Sequence, residues 1–304
     1  MKRDLISVLD IAFDLEEIID LSISLKKNRY ETVDIAKNRA LAMIFEKPST
    51  RTRVSFEVAM RQLGGHSIYL NPNDMQLGRG ETISDTGKVL SGFVDLIAYR
   101  AFKHENVVSL ADASRVPVIN ALDDKEHPVQ IIADFMTVKE VFGDLEGRKL
   151  AYVGDGNNMA NSLMLGASSL GVDISIGCPK KYIPDKEITE ISKQLAKETG
   201  SDVEIVDDPS KAVENADVVY TDVWVSMGEE SEREKKEKIF SKYRVDQELM
   251  DKASKNAIFL HCLPAHRGLE VTDEVIDGIH SRVFQQAENR LHTEKAVIVY
   301  LLQN

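Results

Sequence analysis

Lys149-Leu150-Ala151-Tyr152-Val153-Gly154-Asp155-Gly156-Asn157-Asn158 passes from a short apolar stretch into a polar turn with two glycines, and a run of small and apolar residues follows. A strand that ends in such a turn and enters a helix is the repeating unit of a doubly wound α/β sheet. Ligands of such sheets bind at the carboxyl ends of the strands. The turn invites a dinucleotide reading, but the third glycine of G-x-G-x-x-G is replaced by Met159. Asn157 and Asn158 instead bring amides to the mouth of the sheet, where one can cap the helix and the other can face a ligand.

The same alternation extends in both directions. Downstream, strands are predicted over Asp173–Gly177, Glu204–Val206, Asp217–Thr221 and Ala257–Leu260. Upstream, Ala40–Phe45 reads as a buried strand, 50–64 as a helix, Ser67–Leu70 as a strand, Thr82–Gly92 as a helix, and Leu96–Tyr99 and Pro117–Asn120 as strands. Ile131, Ile132, Phe135, Val138 and Phe142 fall at helical spacing, so Val129–Phe142 is expected to be a helix joining two halves. The polar turn Gly143-Asp144-Leu145-Glu146-Gly147-Arg148 marks a boundary near 140–148. The fold class predicted is α/β, with two doubly wound domains containing parallel sheets and joined by interdomain helices. The domains are expected at 1–142 and 143–286, with a C-terminal helix at about 287–304 packing back on the first.

Bulk properties limit the function classes. A chain of 304 residues is long enough for about two domains. Hydrophobic residues make up 43% and charged residues 29%, the balance of a soluble globular protein, and no apolar run approaches the ~18 residues of a membrane span. A formal charge of -12 argues against general nucleic-acid binding and makes any arginine cluster a local device. The start, Met1-Lys2-Arg3-Asp4-Leu5-Ile6-Ser7-Val8, lacks the features of a secretory or transit segment, so the cytoplasm is expected. Cys178 and Cys262 are too few for a disulfide framework and read as free thiols.

Such an arginine cluster lies in Phe45-Glu46-Lys47-Pro48-Ser49-Thr50-Arg51-Thr52-Arg53-Val54-Ser55-Phe56-Glu57. Lys47-Pro48 ends the apolar run, and Ser49 is a good N-cap for a helix with Val54, Val58 and Leu63 near one face. The first turn of a helix leaves N–H groups unpaired and carries the positive end of the macrodipole. Ordinary first turns favour acids, whereas this one concentrates hydroxyls and guanidiniums, so it reads as a phosphate site.

Ser49-Thr50-Arg51-Thr52-Arg53 resembles the carbamoyl-phosphate signature of the aspartate/ornithine carbamoyltransferase family. Four further segments resemble that family in the same order: Arg100 in Ala98–Phe102, His127-Pro128-Val129-Gln130, Asp222-Val223-Trp224-Val225-Ser226-Met227-Gly228, and His261-Cys262-Leu263-Pro264. The resemblance covers nearly the whole chain, and the last two segments are similar to the family's ornithine-using branch. It implies transfer of a carbamoyl group from carbamoyl phosphate to the δ-amine of L-ornithine, giving L-citrulline and phosphate.

On that resemblance, carbamoyl phosphate is expected at Ser49, Thr50, Arg51, Thr52, Arg100, His127, Pro128, Val129, Gln130, Cys262 and Leu263. Arg51 and Arg100 neutralise phosphate; Thr52, Arg100 and His127 donate toward the carbonyl oxygen, which becomes an oxyanion when an amine attacks. Gln130 orients the carbamoyl NH2. Asp222 pairs with the ornithine α-ammonium, Asn158, Ser226 and Met227 position the amino-acid end, and Cys262 with the Leu263 carbonyl lines the δ-amine site. Arg100, His127, Gln130 and Cys262 form the expected catalytic set.

Gln76 matches a family position that approaches a neighbouring subunit's phosphate site, which implies a homo-oligomer, a trimer or an assembly of trimers; plain surface polarity is its other reading. Arg290 matches a carbamoyl-phosphate contact and is otherwise a surface arginine. The charged run from Gly228 to Lys238 reads as a solvated helical face, although its position after Ser226-Met227 matches a family loop that folds over the amino acid. The chemistry requires neither a metal nor a cofactor, and neither nucleic acid nor a membrane is expected as a partner. A carbamoyltransferase for another amine, and a non-catalytic anion-binding protein on the same fold, are the alternatives.

Overall fold

The structure, a computed structural model, describes residues 2–29, 34–77, 80–225, 228 and 230–303. The chain divides into two compact units, Met1–Met136 with Glu288–Asn304, and Thr137–Ala287.

The first unit is built on strands β1 (Ala40–Phe45), β2 (His66–Leu70), β3 (Leu96–Arg100) and β4 (Val118–Leu122). With them run helices α1 (Leu15–Lys27), α2 (Thr50–Gln62), α3 (Ile83–Leu90) and α4 (His104–Ala113), and α5 (Pro128–Phe142), whose residues from Thr137 belong to the second unit. The strands pair in parallel in the order β2-β1-β3-β4. Every residue of β1 is buried, which is why its sequence is a continuous apolar run and not an alternation. Its Ala42 and Ile44 pack with Ile97, Tyr99 and Leu110. The chain leaves β1 toward one side of the sheet and later returns on the other side as β3. The crevice at this reversal opens at the carboxyl ends of β1 and β3.

The second unit carries β5 (Lys149–Val153), β6 (Asp173–Gly177), β7 (Val203–Val206), β8 (Val218–Tyr220) and β9 (Ile258–Leu260), parallel in the order β7-β6-β5-β8-β9. Its helices are α6 (Asn158–Ser169), α7 (Lys186–Thr199), α8 (Pro209–Val213), α9 (Arg233–Phe240), α10 (Gln247–Met250) and α11 (Asp273–Ile276). Here the order reverses between β5 and β8. Residues Met159–Ser168 of α6 are all buried, so a sequence of small and apolar residues on every side is what the position demands. Gly156 is required just before it, because a Cβ there would stand 2.3 Å from the backbone nitrogen of Pro184. A core of Trp224, Phe240, Tyr243 and Phe259 closes one side of this unit. Each such buried aromatic contributes roughly 2–3 kcal/mol by removal from water.

The last helix, α12 (Val283–Gln303), is longer than the apolar run Ala296–Leu302. Its first half buries Gln286, Asn289, Arg290, His292, Thr293, Glu294 and Lys295, so it carries no amphipathic signature. Both halves of the chain are therefore parallel-sheet α/β domains with helices around the sheets. No helix among the described residues is long and apolar enough to cross a membrane.

Candidate active site

In the first unit the adjacent strands β1, β3 and β4 deliver their carboxyl ends side by side. Beyond β1, Ser49 is extended (φ -155°) and its Oγ accepts the Thr52 N–H, capping α2. Its hydroxyl also donates to Thr52 Oγ1 at 3.0 Å. Thr52 is buried, Arg51 half-buried and Thr50 exposed in the same turn. At the end of β3, Arg100 is 6% exposed. The exit of that strand is held by Glu46, which accepts the Tyr99 hydroxyl at 2.6 Å and the Phe102 N–H at 2.7 Å. Beyond β4, Asp123 accepts the N–H groups of Lys125 and Glu126 at 2.8 and 2.7 Å, fixing the turn that presents His127. Pro128 then opens α5, where its missing N–H costs nothing, and Val129 and Gln130 are buried behind it.

Arg290 of α12 ties this face together. Its Nη1 donates to Gln130 Oε1 at 2.6 Å, and its Nη2 donates to Glu294 Oε1 at 2.6 Å and Thr52 Oγ1 at 3.3 Å. Gln130 Nε2 in turn donates to Asp134 at 2.7 Å. These partners fix the Gln130 amide with its oxygen toward the guanidinium and its NH2 toward Asp134. Arg290, 4% exposed, is a buried group and not a surface arginine. Burial pushes the Glu294 carboxyl up to about 7, against the pull of Arg290 and a Ser55 hydrogen bond.

Burial, and then the charges of Arg290, Arg100 and Lys47, hold the His127 imidazole well below its ordinary range. A neutral imidazole keeps one N–H to donate. Lys47 was passed over by the sequence reading as the residue before a breaking proline. It is buried at 8% exposure, and its ammonium lies 5.2 Å from the centre of the Phe102 ring. A lysine beside an arginine-bearing cap was the available signal. Gln76 is exposed in the loop before α3 and takes no part in this network.

In the second unit the carboxyl ends of adjacent β5, β8 and β9 carry Asn157, Asp222 and Cys262. Asn157 is the cap of α6: its Oδ1 accepts the N–H groups of Met159 and Ala160 at 2.9 and 3.3 Å. Its Nδ2 donates to Asp222 Oδ2 at 3.1 Å, while the Cys262 thiol donates to Asp222 Oδ1 at 3.0 Å. Asn158 opens α6 half-buried, Asp222 is buried and Cys262 half-buried. Leu263 takes a left-handed conformation (φ 59°) ahead of a cis bond to Pro264. Ser226 and Met227 lie outside the described residues.

Among the described residues, the groups that could offer a metal three ligand atoms are Asp222, His261 and Cys262, within 4.8 Å of one another. The imidazole is already engaged. The Leu263 N–H donates to its Nδ1 at 2.9 Å, which leaves the proton on Nε2, 3.3 Å from Glu270 Oε1. Both cysteines are free thiols. Burial raises the Tyr152 phenol far above its ordinary range, reinforced by Asp222 and Asp155. The carboxyl end of this sheet is therefore acidic where that of the first unit is cationic, so one suits an ammonium and the other a phosphate.

The charged run departs from a solvated face at one residue. Glu232, Arg233, Glu234 and Lys235 are exposed, but Lys236 of α9 is 4% exposed and its Nζ lies 2.6 Å from Asp155 Oδ2.

Comparison with known proteins bears on both units. Residues 3–140 match the family described as aspartate/ornithine carbamoyltransferase, carbamoyl-P binding domain, and residues 146–301 match its Asp/Orn binding domain. The chain is 64% identical over 302 residues to a protein of Picrophilus torridus named ornithine carbamoyltransferase, covering 99% of this chain and 100% of the relative. It is 63% identical over 301 residues to a catabolic ornithine carbamoyltransferase of Thermoplasma volcanium, with 99% of each covered. The solved ornithine carbamoyltransferase of Pyrococcus furiosus superposes with a TM-score of 0.94 at 49% identity, covering 98% of this chain and 96% of that one. This chain belongs to the aspartate/ornithine carbamoyltransferase family.

Proposed function

We propose that the protein transfers the carbamoyl group of carbamoyl phosphate to the δ-amine of L-ornithine, releasing L-citrulline and phosphate. The observation that carries this reading is the Asp222 carboxylate, buried on the second sheet with Asn157 and Cys262 as partners, in a chain whose first sheet presents a cluster of buried cations. Family membership and the names of the relatives support the same assignment. The first unit with Arg290 holds carbamoyl phosphate, and the second holds ornithine.

In the mechanism, the phosphate dianion sits at the start of α2, received by N–H groups of that turn, the Thr50 and Thr52 hydroxyls and Arg51. Arg100 neutralises the charge that grows on the leaving phosphate. His127, kept neutral by its surroundings, donates its one N–H to the carbonyl oxygen and strengthens that contact as the oxygen becomes an oxyanion. Gln130 Oε1, with a lone pair left beside the one Arg290 uses, accepts from the carbamoyl NH2. Asp222 takes the ornithine α-ammonium while Cys262 and the Leu263 carbonyl receive the δ-ammonium, which must lose a proton before attack. The amine nitrogen bonds to the carbamoyl carbon, the C–O bond to phosphate breaks, and the second proton of the attacking nitrogen passes to the departing phosphate. Transfer requires the two bound ligands to meet, with the δ-amine placed against the carbamoyl carbon.

The reading extends to arginine metabolism in the cytoplasm and to a homotrimer in which the exposed Gln76 completes a neighbour's site. The experiment is a comparison of kcat/KM for L-ornithine, putrescine and L-aspartate with carbamoyl phosphate fixed. Ornithine should lead both others by orders of magnitude; equal or better use of putrescine would remove Asp222 from its role.

A further inference from the structure

Lys236 is the one residue of the Arg233–Lys238 charged run that is fully withdrawn from water, and the reaction as derived gives it no part. A lysine at 4% exposure is rare without a charge partner, and here Asp155 supplies it at 2.6 Å. The ammonium also lies 5.6 Å from the centre of the Tyr182 ring. Phe240, one turn further along α9, packs edge-on against Tyr182 at 5.0 Å and stacks on Trp224 at 6.0 Å. The helix is thus held at one turn to the segment that follows β5 and at the next to Tyr182, after β6, and Trp224, after β8.

What it is pinned to leads to Asp222. The Asp155 carbonyl accepts the Tyr152 hydroxyl at 2.9 Å and the Asn157 N–H at 2.7 Å. The Gly156 N–H donates to the Tyr182 carbonyl at 2.8 Å. Asn157 then donates its side-chain amide to Asp222. One continuous set of contacts therefore runs from the Lys236 ammonium through the Asp155–Asn157 turn to the carboxylate proposed for the amino acid.

We propose that Lys236 is a positioning residue for the amine substrate: its ion pair with Asp155 docks α9 on the β5–α6 turn and fixes the Asn157–Asp222 contact that receives ornithine. This rests on the proposed function for the identity of the amine, but the docking itself does not.

The test uses the full-length protein as Lys236→Met, Asp155→Asn and the double variant, with KM for each substrate, kcat and backbone hydrogen exchange over Arg233–Phe240. Removing one partner strands a buried charge, so the double variant supplies a folded comparison if a single one fails to fold. The expected result is an ornithine KM raised about tenfold or more in each single variant, a carbamoyl-phosphate KM changed less than twofold, and faster exchange in α9. The double variant should be no worse than the worse single one, because both break the same pair. Equal rises in both KM values, or an unchanged ornithine KM in a folded Lys236→Met protein, would overturn the proposal. Failure of the wild-type protein to make citrulline would instead defeat the functional reading, and the exchange measurement would still decide the docking.

Discussion

Arg290 Nη1 donates to the Gln130 amide oxygen at 2.6 Å, joining the C-terminal helix to the first turn of α5. Because the same guanidinium reaches Glu294 and Thr52, it sets one amide and one hydroxyl of the proposed phosphate site at once. Lysine offers a point charge without the planar fork. Arg290→Lys should therefore lower kcat/KM for carbamoyl phosphate about 100-fold, the scale of one lost oxyanion-type contact of ~3 kcal/mol. Steady-state kinetics on protein with an unchanged unfolding midpoint checks this; less than threefold loss would take Arg290 out of the site.

Asp222→Asn preserves shape and can still accept from one of the two donors, Cys262 at Oδ1 or Asn157 at Oδ2, while an NH2 replaces the other oxygen and the charge is removed. Ornithine affinity should fall by at least tenfold while carbamoyl-phosphate affinity stays within twofold. Calorimetric titration of each ligand separates the cases, and parallel weakening of both would point to damage of the fold.

His127 should remain neutral below the ordinary histidine value of 6.5, since burial and three neighbouring cations all disfavour its charged form. A group depressed in this way contributes stability that is present above 6.5 and lost as pH falls. Nitrogen-15 imidazole shifts between pH 8 and 5.5 provide the readout. A protonation midpoint at or above 6.5 would contradict the neutral donor.

Glu126 behaves in the opposite sense. Burial raises its carboxyl to about 7, although the N–H of Val8 donates to it at 2.9 Å and Ser7 also bonds it. Its native value exceeds the ordinary 4.5, so its contribution is complete below 4.5 and is lost as pH rises through 7. Glu126→Gln should therefore gain on the wild type by up to about 3 kcal/mol between pH 4.5 and pH 8, measured by urea unfolding. A pH-independent difference would show that the acid does not titrate in this range.

Much of the scaffold was legible because it is written locally. The apolar run Ala40–Phe45 is a strand buried on both faces, and Ser49 caps a helix three residues before the Thr52 N–H it receives. The five motif segments could be read for the same reason. The contacts that organise the site are non-local. Nothing near Lys236 in the sequence indicates that Asp155 will bury it, and the exposed charges around it give the opposite signal. The polar first half of α12 has no hydrophobic stripe because its buried polar groups find partners, Arg290 in Glu294 and Gln130, Asn289 in Lys26 and Gln286 in Tyr220. Asn157 and Asn158 stand side by side, and only the structure shows that the cap is Asn157 and that the same side chain also holds Asp222.

The central claim is that the carbamoyl carbon moves to ornithine. Carbon-13 NMR of the wild-type protein with labelled carbamoyl phosphate and L-ornithine follows that carbon directly. The account predicts that the label appears in the ureido carbon of citrulline, with one phosphate released per citrulline and little release without ornithine. Phosphate released at the same rate without ornithine, with the label lost as carbamate or bicarbonate, would contradict it.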